Sequence, residues 1–291
     1  MPPPSPQPDA SHEPKPRFSS LRSRRFQNRV IAALLIAELV GLIGHPLFGW
    51  FAKHFVSTPA PLRYQAPVPM SGAQILLEVS QRAGSQRPAP RRRRYGYVRR
   101  EDWRLSAGPG RPGSARLLPV TASSWLTASG QGLVQTRRPG GSEPTVNRRT
   151  AGHPLPNLTE TTTPSTLGFG ATGSAQEFLQ LVTLAQSQPV PPHLLSAVLV
   201  SLAGLPGLSN RGSVVDRAGR PGIAVSINLA DTATPRRYTL VFDPRTGALD
   251  ECDEELLQDS SRLDAQAGAV VAYTVFLGSG YTSRPGVVPA G

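Results

Sequence analysis

The sequence holds one cysteine, Cys252, among 291 residues. That excludes an intramolecular disulfide and any zinc site built from several thiolates. Histidine is scarce as well: His12, His45, His54, His153 and His193 lie far apart. Scattered this way, they supply neither metal-ligand spacing nor a histidine near a motif-borne nucleophile. No G-x-S-x-G elbow and no Walker A sequence occurs. The expectation is no catalytic residue, no metal and no cofactor, so the chain is read as not an enzyme. Aromatic residues make up only 6%, so a core must rest on Leu, Val, Ala and Ile. Lysine is nearly absent, with 2 against 29 arginines, a bias that reads as genomic composition rather than a ligand signature.

Proline and glycine are abundant, at 31 and 28 residues, above their combined average of about 12%. Long loops and irregular ends follow. The net charge of +12 is uneven. Residues 63–150 carry sixteen arginines against four acids, and residues 151–291 carry eight against twelve. A basic middle is joined to a mildly acidic end, and folding brings the two into partial neutralisation.

Residues 1–29 are rich in Pro, Ser and charge, and end in a cluster containing Arg17, Arg22, Arg24, Arg25 and Arg29. They read as a disordered basic tail, with too little apolar surface to offset ordering. Residues 30–51, VIAALLIAELVGLIGHPLFGWF, form a 22-residue apolar run, where about 20 are needed to cross a bilayer. This predicts one transmembrane helix. Glu38 interrupts it at a cost of about 2.5–3.5 kcal/mol, which the surrounding Ile, Leu, Val and Ala offset. Glu38 reads either as an intramembrane polar contact to a partner helix or as a tolerated polar residue on a lone anchor. Arginines crowd the upstream flank and the near downstream flank carries only Lys53, so the N-terminus is expected in the cytoplasm and the C-terminal domain outside the cell membrane. Two rivals remain open. A cleavable signal peptide is weakened by the 29-residue n-region and the missing A-x-A site. A buried core helix is weakened by apolarity all round the segment.

Residues 52–70 read as a Pro-rich linker, 71–282 as an exported α+β domain, and 283–291 as a flexible C-terminus. Ser71 and Gln74 make a capping pattern ahead of Ile75, Leu76, Val79 and Ala83, which share a helical face ending at Gly84. Strands are expected over 95–105, 116–127 and 132–138, then an irregular stretch over 139–173. A second helix opens at Ser174 with Glu177 completing a capping box, and a third follows Pro191-Pro192. Its stripe is Leu195, Val198, Leu199 and Leu202, with Gly204 as its C-terminal cap. The last third reads as a strand meander. Tyr238, Leu240 and Phe242 alternate with Thr239 and Val241 as in a half-buried strand. Residues 251–255, ECDEE, read as a solvated acidic cluster, and 267–278 as a closing strand. Gly219, Gly222, Pro244 and Gly247 read as turn residues. Arg91, Arg92, Arg93 and Arg94 precede Tyr95 and Tyr97. They form a candidate contact for an anionic envelope or membrane surface, or a solvated strand entrance. The topology argues against nucleic acid.

The segments Leu205-Pro206-Gly207, Asp216-Arg217-Ala218-Gly219-Arg220-Pro221-Gly222 and Phe242-Asp243-Pro244-Arg245-Thr246-Gly247, with Tyr95-Gly96-Tyr97-Val98-Arg99, carry a family resemblance. Over residues 72–138 and 174–255 the chain resembles an uncharacterised family of actinobacterial single-pass membrane proteins, often encoded near sigma factors. The resemblance implies an exported lipoprotein-carrier-like α+β domain: a curved, half-barrel-like antiparallel sheet with about three packed helices. It implies no catalytic residue. The leading reading is a membrane-anchored, non-enzymatic envelope protein. Its exported domain would bind a protein partner or an apolar ligand, within sigma-factor-linked signalling. Two alternatives stand beside it: an anti-sigma-like regulator acting through the cytoplasmic tail, and an exported hydrolase.

Overall fold

The computed structural model describes residues 55–88, 94–105, 119–141, 143–150, 154–230 and 234–289. The tail, the segment 30–51 with Glu38, and Arg91, Arg92 and Arg93 lie outside the described residues. Among the described residues no helix is long and apolar enough to cross a membrane.

Helix α1 (Gly72–Gly84) begins where Ser71 Oγ accepts from the Gln74 N–H at 3.2 Å and Gln74 Oε1 accepts from the Ser71 N–H at 2.8 Å. This reciprocal pair satisfies two of the orphan donors of the first turn. Helix α2 spans Gln176–Ser187 and α3 spans Pro192–Ala203. Proline opens α3 at a position where its missing N–H would have no helical partner anyway. The nine strands are β1 (Tyr95–Arg104), β2 (Val120–Leu126), β3 (Gly132–Arg137), β4 (Thr145–Arg149), β5 (Ser209–Val215), β6 (Pro221–Leu229), β7 (Arg236–Phe242), β8 (Leu249–Leu256) and β9 (Val270–Thr282). They form one antiparallel sheet in the order β4-β3-β2-β1-β9-β8-β7-β6-β5. Two meanders, β1–β4 and β5–β9, are thus joined where β1 pairs with β9. Among the described residues the fold class is α+β, an open antiparallel sheet with three helices.

The main core lies between the helices and one sheet face. The stripes Ile75, Leu76, Val79 and Ala83 of α1 and Leu195, Val198, Leu199 and Leu202 of α3 meet Val225, Ile227, Leu240 and Phe242. The opposite face is covered too, which the alternation in β7 did not foresee. Tyr238, Thr239, Leu240, Val241 and Phe242 are all buried, because residues 55–68 run across the second face. Val56 N–H donates to Asp264 O at 2.7 Å, and Leu62 and Tyr64 pack on Val214, Ala224 and Val241. Gln65 N–H then donates to Ser213 O at 2.8 Å, sealing the β5 edge. The expected linker is, over these residues, part of the fold.

Other expectations are corrected in the same way. The irregular stretch 139–173 contains β4 and a short 3-10 turn, Ser165–Leu167. β4 (TVNRR) has no apolar alternation to announce it, and pairing with β3 makes it a strand. Gly222 is not a turn residue. It pairs with Val214 inside the sheet, and a Cβ there would lie 2.3 Å from Val241 Cγ1. Space, not backbone angle, demands glycine. Gly219 (φ +82°) and Gly247 (φ +71°) do sit in left-handed turn positions. Pro244 lies in the turn between β7 and β8. Gly204 ends α3 with a right-handed φ of −78°, and the left-handed glycine is Gly207. The C-terminal residues expected to be flexible are held in part: the Trp125 indole donates to Val287 O at 2.7 Å.

Candidate functional site

The acidic run 251–255 is not solvated. It forms most of β8, and Glu251, Asp253 and Glu254 are buried. Arginine makes this burial tolerable. The Arg217 guanidinium donates to Glu251 and to Asp253 Oδ1 at 2.9 Å, while its backbone N–H donates to Glu251 Oε2 at 2.8 Å. The same guanidinium donates to Ala60 O at 3.0 Å and stacks 4.5 Å from the Tyr273 ring. Residues 55–68 are therefore tied to a charge cluster in the middle of the sheet. One arginine faces two carboxylates, and burial pushes Asp253 up to about 8, with Arg217 opposing and Glu251 adding. Nearby, Arg220 pairs with Asp216 and with Asp250 at 3.0 Å and donates to Phe276 O at 2.8 Å, stapling the β5–β6 turn to β8 and β9. Burial pushes Asp250 up to about 6, against the pull of Arg220.

Two of the clefts along α2 share Thr183 in their lining. The first, about 360 Å³, lies between α2 and the helix-facing side of β1, β9, β8 and β7. Its charged groups are satisfied internally. Arg100 donates to Asp102 at 2.8 Å and to Gln186 O at 2.8 Å, Thr274 donates to Asp102 at 3.0 Å, and Glu254 accepts from Arg104 and Arg236. Cys252 lines this cleft. Burial first, then Glu254, Asp253 and Glu251, push its thiol well up, so it is held in the unreactive neutral form.

The second cleft, about 390 Å³, opens on the other side of α2 and is walled by Leu155, Pro156, Leu167, Phe169 and Leu184. Gln180, Thr183 and Ser187 line it with neutral polar groups, and no ionisable side chain takes part. Its outer wall is the segment 154–169. Leu155 N–H donates to Ala128 O at 2.9 Å, Gln188 donates to Pro156 O at 2.9 Å, and Gln180 donates to Leu167 O. Glu177 finishes the wall. It does not cap α2 with Ser174; the N-cap is Ala175, without a side-chain bond. Its buried carboxylate accepts from Gly170 N–H at 2.8 Å, Gly173 N–H at 3.0 Å and Thr172 Oγ1 at 3.0 Å. Burial alone would raise this carboxyl, but these donors outweigh it and hold it below the ordinary range.

Of the sequence-predicted site residues, Arg94 is exposed, with its guanidinium 5.6 Å from the Tyr95 ring. Gly219, Pro244 and Gly247 lie in turns away from both clefts. The apolar cleft draws on residues of the stretch 139–173, whose sequence predicts no regular element. Leu155, Leu167 and Phe169 have no periodicity there, and only the hydrophobicity of isolated residues in a Thr-rich segment hinted at burial. Among the described residues no group of three or more His, Cys, Asp or Glu could hold a metal ion.

No protein-family model matches the chain, and no curated protein sequence does. Among solved structures it is similar to MucB in complex with MucA(peri), at 15% identity, covering 75% of this chain and 57% of that one with a TM-score of 0.28. It is similar to the Pseudomonas aeruginosa MucA/MucB complex at 14% identity, 75% and 58% coverage and a TM-score of 0.27. For MucB alone the values are 15%, 75% and 60%, with a TM-score of 0.29. The chain spans under two thirds of the length of these chains.

Proposed function

We propose that this chain is a membrane-anchored, non-enzymatic envelope protein whose extracytoplasmic α+β domain binds an apolar group in the cleft between α2 and residues 154–169. The occupant is an apolar side-chain cluster of a protein partner or a small apolar ligand. The setting is sigma-factor-linked signalling, as the family resemblance implies. The half-barrel curvature and the single anchor at 30–51 belong to the same reading.

One observation carries it: about 390 Å³ of open space walled by Leu155, Leu167, Phe169 and Leu184, with no ionisable group among the lining residues. Ligand sites are commonly 300–1,000 Å³, mainly apolar, with a few neutral polar groups to orient the occupant. The neighbouring charged cleft is spent on internal ion pairs and leaves less for a ligand.

The test uses the full-length protein in cells. A photoreactive phenylalanine analogue replaces Gln180, and adducts are resolved by mass. A discrete protein adduct identifies a partner, and a lipid adduct identifies a small ligand. In the Ser187→Trp background, where the indole enters this cleft and not the charged one, either adduct should fall at least fivefold. Equal yields with and without the tryptophan would defeat the assignment of the cleft. Reporter fusions after Arg29 and at Gly291 test the topology separately and should report opposite sides of the membrane.

A further inference from the structure

The described arginines differ in their partners: Arg100 and Arg104 of β1 pair with Asp102 and Glu254, and Arg211 of β5 lies 4.5 Å from the Tyr64 ring. In the half of the sheet built by β5–β9, Arg217, Arg220, Arg236 and Arg237 each contact a carboxylate. In the β1–β4 half, Arg99 of β1 and Arg137 of β3 have no carboxylate within ion-pair distance among the described residues. Both line one cleft of about 220 Å³, together with Thr121, Ser123, Gln135, Thr136 and Pro144.

The register explains the convergence. Arg99 pairs with Ser123, and Ser123 pairs with Gln135, so these three lie in one row across three strands. Thr121 pairs with Arg137 two residues along. In a pleated sheet, positions i and i+2 share a face, so all five side chains stand on the face away from the helices. None of the five makes an intramolecular hydrogen bond or ion pair among the described residues. One acid shares the row of Thr121 and Arg137: Glu101, opposite Thr121, which already accepts from the Tyr273 hydroxyl at 3.0 Å.

We propose that this cleft is a phosphoryl-binding site, with Arg99 and Arg137 as paired guanidinium donors and Thr121, Ser123 and Gln135 as neutral donors between them. Two guanidinium forks, two hydroxyls and an amide offer more donors than the two oxygens of a carboxylate can use. A phosphoryl group sets its oxygens tetrahedrally rather than in one plane, so donors converging from several strands reach it, and it suits bidentate arginine. The phosphoryl group comes either from free phosphate or from a lipid headgroup diester.

The experiment uses the full-length protein in nonionic detergent at constant ionic strength. Inorganic phosphate and glycerophosphoglycerol, the soluble headgroup of phosphatidylglycerol, are each titrated calorimetrically. Binding of either that weakens at least tenfold in both Arg99→Gln and Arg137→Gln, while Arg245→Gln stays within twofold of wild type, supports the site. The probe that binds more tightly names the source. Arg245 is the control because its side chain is 85% exposed and lies in the β7–β8 turn. Absence of binding for both probes, or binding that all three variants retain or lose alike, overturns the proposal. Thermal melts of each variant, expected within 2 °C of wild type, separate loss of site from loss of fold.

Discussion

Gly219 and Gly247 share a backbone conformation but not a neighbourhood, so alanine at each separates strain from packing. Both have positive φ, +82° and +71°. A Cβ at Gly219 meets nothing within 4 Å. One at Gly247 would stand 2.5 Å from Val79 O and 2.7 Å from Ala83 N, both backbone atoms of α1. The left-handed conformation costs an L-residue about 1–2 kcal/mol. Part of that is offset by about 0.4–1 kcal/mol, because alanine has fewer unfolded conformations to lose. Gly219→Ala should therefore cost about 1 kcal/mol. Gly247→Ala carries the same strain and also forces α1 away from the β7–β8 turn. Overpacking adds roughly 1–3 kcal/mol, for a total of about 3 kcal/mol. With a urea m-value of about 2–3 kcal/mol/M, midpoints should fall by about 0.4 M and about 1.2 M. Fluorescence of the buried Trp103 and Trp125 in the full-length protein reports the transition. If Gly247→Ala costs no more than Gly219→Ala, the close contact between α1 and the turn is wrong.

The raised Asp253 carboxyl fixes a sign for pH dependence. Its folded value of about 8 exceeds the ordinary 3.8, so its stability contribution is full below about pH 4 and is lost as pH rises towards 8. The urea midpoint should fall over that window, and Asp253→Asn should flatten the fall; an unchanged slope would contradict the buried charge cluster. Arg217→Ala leaves Glu251 and Asp253 buried without their cation and should cost about 3–5 kcal/mol. Limited proteolysis of this variant should also cut faster within residues 55–68, which lose the bond at Ala60. Glu177→Gln replaces a carboxylate that faces backbone donors of Gly170, Thr172 and Gly173. A loss of about 2 kcal/mol in denaturant unfolding is expected, from weaker charge-assisted bonds and a misplaced amide. It should be accompanied by weaker crosslinking at Gln180, because the wall carrying Phe169 loosens. A variant that stays as stable as wild type but loses crosslinking would show that Glu177 contacts the occupant directly.

The local devices of the fold were legible. Ser71 and Gln74 announced the start of α1, and Pro191-Pro192 that of α3, because capping and proline geometry act within a few residues. The helix stripes were legible for the same reason: a 3.6-residue period is visible within one segment. Glu177 was misread because a capping box and a loop-binding carboxylate use the same residue spacing. What distinguishes them is whether the Gly170–Gly173 amides turn back towards it. The apolar cleft was illegible, since Leu155, Phe169 and Leu184 become neighbours only when the segment before α2 folds against it. β4 was missed because its five exposed residues carry no apolar pattern and owe their conformation to β3.

Composition and order along the chain determined the fold class, the helices and the turns at Gly219 and Gly247, because those depend on backbone preferences and on periodicity within single segments. The sequence also held the acids of β8 and the arginines that meet them, but not their pairing. That Arg217 would answer Glu251 and Asp253, that residues 55–68 would cover a sheet face, and that Arg99 and Arg137 would converge on one cleft were decided only by the antiparallel register. Register aligns residues tens of positions apart, and a slip of one residue would turn each side chain to the opposite face.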